Sequence, residues 1–141
     1  MLYDNPWIYK GQSINSEDVD SFVGFVYLIT NTSNNKRYIG KKLLKKPKTR
    51  IVKGKKKRSF VESDWKQYYG SNKELQEDVA LLGSSIFTRE ILRMCKSKGE
   101  CNYFEAKFQF SLNVLEDDSF YNSWIQVKVH KSHLNKINTT E

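Results

Sequence analysis

Two tyrosines, Tyr27 and Tyr38, are the first residues whose type and setting could support chemistry. A phenol has an unperturbed pKa of about 10, so a tyrosine is a poor general base unless nearby cations lower that value. Arg37, Lys41 and Lys42 surround the second tyrosine in the sequence, and they would lower the pKa of Tyr27 if the two segments pair. Two ordinary core tyrosines are the alternative, because tyrosine is a common strand residue.

A carboxylate, Glu105, is the second candidate. Ser97 and Glu100 form a capping box, which predicts a helix that continues to about residue 113. Phe104 and Phe108 belong to the apolar stripe of this helix, so Glu105 lies at the edge of the buried face and not on the solvent side. A carboxylate there needs a cation, a hydrogen-bond donor or a metal as its partner. An ion pair with a buried lysine or arginine is the alternative to a metal.

Positive charge is concentrated in one segment. The chain of 141 residues has a formal net charge of +8 at pH 7, and 11 of the 18 residues from 41 to 58 are Lys or Arg, with no acid among them. The rest of the chain carries 13 basic and 16 acidic residues. Such a block predicts a polyanionic partner, and neutralising phosphates is its simplest use. A nuclear-localisation signal or a solvated surface run are the alternatives. The candidate DNA-binding residues in this region are Lys41, Lys42, Arg50, Lys55, Lys56 and Lys57.

The tyrosines must be positioned by a β-hairpin. Residues 25–30 are apolar on both faces and rich in β-branched and aromatic residues, as in a central strand. Residues 32–35 have turn composition, and residues 37–39 return as a second short strand that Gly40 closes. A hairpin brings the two phenols to the same end of a small sheet, as either cross-strand or diagonal neighbours.

The rest of the chain alternates strand-like and helical patterns. In a basic insertion at residues 41–60, Pro47 prevents an uninterrupted helix, and residues 53–55 form a turn between extended arms at 50–52 and 58–60, which predicts a two-stranded flap. Ser71 and Glu74 form a capping box for a helix that ends near Gly83. Residues 85–95 are predicted as a strand. Aromatic residues at 119–124 are expected to pack on the sheet, and the alternation at 125–129 predicts a last strand.

Length and composition favour a single folded domain. We divide it into an N-terminal arm at 1–22, a core domain at 23–130 and a C-terminal tail at 131–141. No apolar run approaches the roughly 18 residues of a membrane span, and the N-terminus lacks the pattern of a signal peptide. Cys95 and Cys101 are expected to be reduced, and a cytoplasmic location follows by default.

Two tripeptides, Phe25-Val26-Tyr27 and Tyr38-Ile39-Gly40, resemble the paired tripeptides of the GIY-YIG nuclease family. The first keeps only its tyrosine, and the second is complete. The resemblance extends over residues 25–129 and implies an α/β (α+β) fold, a small mixed β-sheet flanked by helices. Glu105 matches the family's metal-binding glutamate. Asn122, which is otherwise a turn asparagine, matches a late asparagine of the family, and the resemblance makes it a further candidate DNA-binding residue. Residues 63–65 and 69–71 resemble standalone phage members, the mobile or homing endonucleases.

The resemblance implies a metal-dependent endonuclease that hydrolyses phosphodiester bonds of double-stranded DNA. It assigns Tyr27 to water activation, Tyr38 to orienting water or phosphate, and Glu105 to holding Mg²⁺ or another divalent cation such as Mn²⁺. The family's catalytic arginine lies on a helix that Pro47 and the lysine run replace here. Arg50 fits the spacing from Tyr38, whereas Arg58 fits the context before residues 61–65, and we favour Arg58 slightly.

The departures from the family pattern keep a second function open. A basic nucleic-acid-binding module without catalysis, on a degenerate nuclease scaffold, would explain the missing first Gly-Ile and the unusual arginine region. One active site cuts one strand, so double-strand cleavage would need a homodimer on DNA or two successive nicks.

Overall fold

Five strands form one mixed sheet and two more form a separate ribbon in the computed structural model, which describes residues 3–134. The sheet has the order β2-β1-β7-β3-β4, in which β1 and β7 are parallel and the other neighbours are antiparallel. The strands are β1 (Ile8–Tyr9), β2 (Gln12–Ser13), β3 (Gly24–Asn31), β4 (Lys36–Leu43), β5 (Lys45–Val52), β6 (Lys55–Glu62) and β7 (Phe87–Cys95).

One α-helix covers each face of the sheet. Helix α1 (Lys73–Leu82) contributes Leu75 to a core that includes Trp7, Tyr27 and Trp65. Helix α2 (Lys98–Ser111) packs on the opposite face, in a second core around Val26 and Ile39. This arrangement confirms the predicted α+β fold with a small mixed sheet between helices. No helix within residues 3–134 has the length and apolar character needed to cross a membrane.

The N-terminal arm is part of the sheet. Its strands β1 and β2 form a short hairpin beside β7. Trp7 is fully buried, and its Nε1 donates to the Trp65 carbonyl at 2.7 Å. Arg89 of β7 is also buried and donates to the carbonyls of Asn5 and Tyr68, while its guanidinium lies over the Trp7 ring. These contacts fix the arm against the face of the sheet that carries Tyr27.

The hairpin of β3 and β4 forms as predicted, and it is longer than the sequence indicated. Asn35 adopts a positive φ of 61°, which suits an asparagine in the turn. Strand β4 continues past Gly40 to Leu43, so Lys41 and Lys42 belong to the strand and not to the basic insertion. The predicted flap is also confirmed, because β5 and β6 pair in an antiparallel ribbon from Lys45↔Glu62 to Val52↔Lys55.

Three local predictions are corrected or refined. The cap of α2 is Ser97 as predicted, but the cap of α1 is Asn72 and not Ser71, because the Asn72 side chain accepts from the Leu75 N–H at 2.9 Å. The last strand predicted at 125–129 is wrong: this segment forms no helix or strand and pairs with no strand among the described residues. Trp124 does not pack on the sheet and is 69% exposed. Of the predicted C-terminal tail, residues 135–141 lie outside the described residues.

Candidate active site

Tyr27 and Tyr38 lie on the same face of the sheet as diagonal neighbours. Tyr27 is paired with Gly40 and Ile29 with Tyr38, which resolves the two registers that the sequence left open. The two rings have centroids 6.1 Å apart. The pairing of β3 with β7 shifts by one residue between Val26 and Tyr27, a bulge of the kind that re-aims a side chain next to a functional site.

Gly40 provides the space into which the Tyr27 phenol fits. A Cβ atom added at Gly40 would lie 2.5 Å from Oη of Tyr27, 2.8 Å from its Cζ and 2.9 Å from Cε2 of Tyr38. Real Cβ atoms essentially never approach heavy atoms this closely, so a larger residue here must displace a tyrosine. The glycine of the second tripeptide is therefore required by the position of the first tripeptide's tyrosine.

Tyr27 is fully buried, and its hydroxyl has no hydrogen-bond partner among the described residues. Burial raises its pKa well above 10, and the nearby Tyr68 and Tyr38 phenols raise the pKa further. The prediction that neighbouring cations lower this pKa is wrong. The cations are engaged elsewhere: Lys42 pairs with Asp64 at 2.6 Å, and the Arg37 guanidinium lies over Phe120.

Tyr38 lies closer to solvent than Tyr27. Its hydroxyl is 3.0 Å from Oγ of Ser71, with either oxygen able to donate. Burial raises the pKa of Tyr38, and the Ser71 hydrogen bond partly offsets that effect. Both tyrosines therefore hold their protons at neutral pH, and each phenol can donate one hydrogen bond and accept others.

Glu105 reaches the same region from the other face of the sheet. It lies on α2 with 17% of its side chain exposed, and its Oε1 is 3.4 Å from Nζ of Lys41. Burial raises the pKa of Glu105, while Lys41 favours the ionised form through its ammonium and its backbone N–H. The ion pair expected as the alternative to a metal is thus present, with a long separation and a partly exposed lysine.

Asn122 is bonded to the edge of β4. Its Oδ1 accepts from the Ile39 N–H at 3.0 Å, and its Nδ2 donates to the Ile39 carbonyl at 2.8 Å. Gln109, one turn after Glu105 on α2, donates to the same carbonyl at 2.9 Å. Because the Asn122 side chain is buried and both its polar groups are used, it positions the second tripeptide; a contact of Asn122 with DNA stays a prediction.

A cavity of about 340 Å³ opens around the edge of β4. Tyr38 enters it from one face of the sheet, and Lys41 and Glu105 enter it from the other. The remaining residues that line it are Ser71, Asn72, Gln109, Asn122, Ser123, Trp124 and Gln126. One phenol, an ammonium, a carboxylate and several amides and hydroxyls therefore meet at one strand edge, and the second phenol, Tyr27, is buried behind Gly40.

The two arginine candidates lie apart from this cavity. Arg50 is on β5 and Arg58 is on β6, in cross-strand pairs with Lys57 and Thr49. Both side chains are exposed, and neither is among the residues that line the cavity. The basic residues Lys55, Lys56 and Lys57 are also exposed on the ribbon. The structure thus brings together Tyr27, Tyr38, Lys41, Glu105 and Asn122. It leaves the other predicted DNA-binding residues on the ribbon, except Lys42, which lies on β4 and pairs with Asp64.

Several site residues were not found from the sequence. Tyr68 packs edge-on against Tyr27 with centroids 5.9 Å apart, and Lys42 lies 4.1 Å from the Tyr68 centroid. Ser71 and Asn72 line the cavity, although the sequence indicated only a helix start there. Gln109 could have been found, because it is four residues after Glu105 and therefore lies on the same side of α2. Tyr68 carries no comparable signal in the sequence, because its contact with Tyr27 depends on the path that residues 63–71 take.

The donor set of the cavity suits a divalent cation that is held with few protein ligands. No group of three or more His, Cys, Asp or Glu side chains placed to hold a metal exists within residues 3–134. Among the described residues that line the cavity, Glu105 is the one carboxylate. Mg²⁺ keeps several waters and commonly binds through one or two carboxylates together with substrate phosphates. A cation at Glu105 would also offset the cost of burying this carboxylate.

Comparison with known proteins gives one match. The family model described as "Putative endonuclease segE, GIY-YIG domain" matches residues 7–125, which include both tripeptides, Glu105 and Asn122. No curated protein matches the chain. No solved structure matches it either. The matched range covers most of the chain, from Trp7, which packs on Tyr27, to the segment that lines the cavity. The chain therefore belongs to the GIY-YIG nuclease family, of the segE type.

Proposed function

We propose that the protein is a metal-dependent DNA endonuclease that hydrolyses a phosphodiester bond at the edge of β4. The observation that carries the proposal is the meeting of Tyr38, Lys41 and Glu105 in one cavity, with Tyr27 held behind them by Gly40. Hydrolysis needs an oriented water, cations for the charge on the phosphate, and a stabilised leaving oxygen. The membership of a nuclease family supports DNA as the substrate.

Glu105 would hold the divalent cation, Mg²⁺ or Mn²⁺, which when bound supplies a Lewis acid for the phosphate oxygens. Lys41 lies 3.4 Å from Glu105 and would contact the scissile phosphate as a point charge. Tyr38, which lines the cavity, would orient the phosphate or the attacking water. The raised pKa of Tyr27 favours a neutral phenol, so we assign it to orienting the water by hydrogen bonding and not to removing its proton. The proton of the attacking water would pass to an oxygen of the substrate phosphate and from there to the leaving oxygen.

An arginine from the ribbon completes this proposal. Neither Arg58 nor Arg50 lines the cavity. One of them would therefore contact the phosphate backbone only once DNA is bound. A guanidinium binds a phosphate through two parallel hydrogen bonds, which a lysine cannot do. Substituting each arginine by lysine, which keeps the charge and removes this geometry, distinguishes a catalytic arginine from one that only attracts DNA.

Cleavage of supercoiled plasmid tests the proposal. The wild type is compared with Glu105→Ala, with Mg²⁺ or with EDTA, and with the control Glu77→Gln on the exposed face of α1. We expect Mg²⁺-dependent cutting by the wild type and the control, and a loss of at least 100-fold in Glu105→Ala with DNA binding retained. Full cutting by Glu105→Ala would refute the assignment of Glu105.

The alternative function is a DNA-binding module without catalysis. The buried Tyr27 hydroxyl and the absence of an arginine among the described residues lining the cavity favour this alternative. If the wild type cuts no plasmid with Mg²⁺ or Mn²⁺ but binds duplex DNA in a salt-sensitive way, the alternative is correct.

A further inference from the structure

The β5–β6 ribbon has two faces of different chemistry. Side chains alternate between the faces along each strand, and the cross-strand register assigns every residue to one of them. The first, which we call the cationic face, carries Lys46, Lys48, Val52, Arg50, Lys55, Lys57, Ser59 and Val61. The second, which we call the mixed face, carries Lys45, Pro47, Thr49, Ile51, Lys56, Arg58, Phe60 and Glu62.

Charge is unequal between the two faces. The cationic face has five basic side chains and no acid, whereas the mixed face has three basic side chains and Glu62. The five basic residues of the cationic face are all exposed, and none of them has an ion-pair partner within 4 Å in the part of the chain that the structure describes. On the mixed face, apolar residues separate the charges, with Ile51 73% exposed and Phe60 65% exposed.

The cationic side chains are spaced along the ribbon. Residues on one face of a strand repeat about every 6.6 Å, so the distance from Lys46 to Val52 is about 20 Å. Duplex DNA rises about 3.4 Å per base pair, so this row lies alongside about six base pairs. A two-stranded ribbon also fits the major groove of B-form DNA, whereas the major groove of double-stranded RNA is too deep and narrow for side chains to read.

We propose that the cationic face of the ribbon is the surface that binds duplex DNA, with Lys46, Lys48, Arg50, Lys55 and Lys57 on its phosphates. The mixed face, which carries Arg58, points away from the DNA, so this inference leaves Arg50 and not Arg58 as the ribbon arginine that reaches a phosphate. This inference rests on the proposed function for its choice of partner. It separates Lys56 from Lys55 and Lys57, which the sequence alone had grouped together, because Lys56 lies on the opposite face.

Two double variants with the same change in charge test the inference. Lys46→Gln with Lys57→Gln removes two charges from the cationic face, and Lys45→Gln with Lys56→Gln removes two from the mixed face, each at the neighbouring position of the same strand. Binding to a 20-base-pair duplex is measured by fluorescence anisotropy in EDTA at several salt concentrations. Because no cleavage is needed, a protein that binds but does not cut still tests the inference.

The expected difference follows from counterion release. Each lost phosphate contact lowers the slope of log affinity against log salt by about 0.9, so the cationic-face variant should lose about 1.8 in slope and about 30-fold in affinity at 0.15 M salt. The mixed-face variant should lose less than half of that slope. Equal losses in the two variants would overturn the inference, and so would tighter binding by the wild type to double-stranded RNA or single-stranded DNA of the same sequence. Circular dichroism checks that both variants keep the wild-type fold.

Discussion

Replacing Tyr27 by phenylalanine should make the protein more stable and less active. The hydroxyl of Tyr27 is buried with no hydrogen-bond partner among the described residues, and burying an unpaired hydroxyl costs about 1–3 kcal/mol. Removing the oxygen forfeits about 0.5–1 kcal/mol of van der Waals contact, since each atom pair contributes about 0.1–0.2 kcal/mol. We therefore expect the unfolding free energy of Tyr27→Phe to rise by about 1 kcal/mol.

The assay is urea denaturation of the wild type and two Phe variants. Tyr121→Phe is the matched control, because Tyr121 is also buried but its hydroxyl donates to Asp78 at 2.7 Å and accepts from Asn31 at 3.0 Å. Tyr121→Phe should lose about 1–2 kcal/mol, since it leaves polar groups unpaired. The two variants remove the same atom and should shift the unfolding midpoint in opposite directions.

Activity decides whether the buried hydroxyl is retained for function. If Tyr27 orients the attacking water, plasmid cleavage by Tyr27→Phe should fall by about 10²-fold or more while duplex binding is unchanged. A Tyr27→Phe protein that is less stable than the wild type would mean that the hydroxyl has a partner, and the energetic reasoning would fail. A stabilised variant with full activity would refute the functional role instead.

The other predictions concern the residues around that phenol. Gly40→Ala should lower the unfolding free energy by about 1–3 kcal/mol in urea denaturation, because the added Cβ would lie 2.5 Å from Oη of Tyr27. The loss should be smaller when the same substitution is made in Tyr27→Phe, and equal losses in the two backgrounds would contradict this contact. Glu105→Gln should be more stable than the wild type at pH 7, because burial raises the pKa of Glu105 and the wild type loses stability as this carboxyl ionises. The difference in unfolding free energy between the two proteins should shrink toward pH 4, and a difference that does not change with pH would contradict this prediction. Asn122→Asp should lose about 2–3 kcal/mol of unfolding free energy and most plasmid cleavage, because a carboxylate oxygen then faces the Ile39 carbonyl. An Asn122→Asp protein as stable as the wild type in urea would contradict the hydrogen bond from Asn122 to that carbonyl.

Local patterns in the sequence were enough to predict most elements of the fold. Turn residues at 32–35, the Ser97 cap and the stop at Gly83 each act within a few residues, so the sequence shows them directly. The choice of Asn72 over Ser71 as a cap differs by one residue and depends on how the chain enters α1. Alternation at 125–129 was misleading, because an extended segment with one half-buried side has the same pattern as a strand but needs a partner to become one.

The site could be predicted in its residue types but not in its electrostatics. The resemblance and helical spacing indicated Tyr27, Tyr38 and Glu105, and the structure places Tyr38 and Glu105 at one strand edge with Tyr27 buried behind Gly40. The pKa of Tyr27 could not be predicted, because it is set by burial under Trp7 and Tyr68, which come from distant parts of the chain. The position of Arg50 and Arg58 depends equally on the register in which β5 pairs with β6.

The bonds along the outer side of β4 also affect how the protein associates with itself. An open strand edge can recruit a strand from another chain, and this can lead to dimers or to aggregates. Here outward groups of three β4 residues have partners: Arg37 pairs with residues 119–121, Ile39 bonds Asn122 and Gln109, and the Leu43 carbonyl accepts from Ser63. These contacts block a second copy from pairing with β4 at Arg37 and Ile39, so the part of the edge beside the cavity is covered by the protein's own groups and not open to another strand.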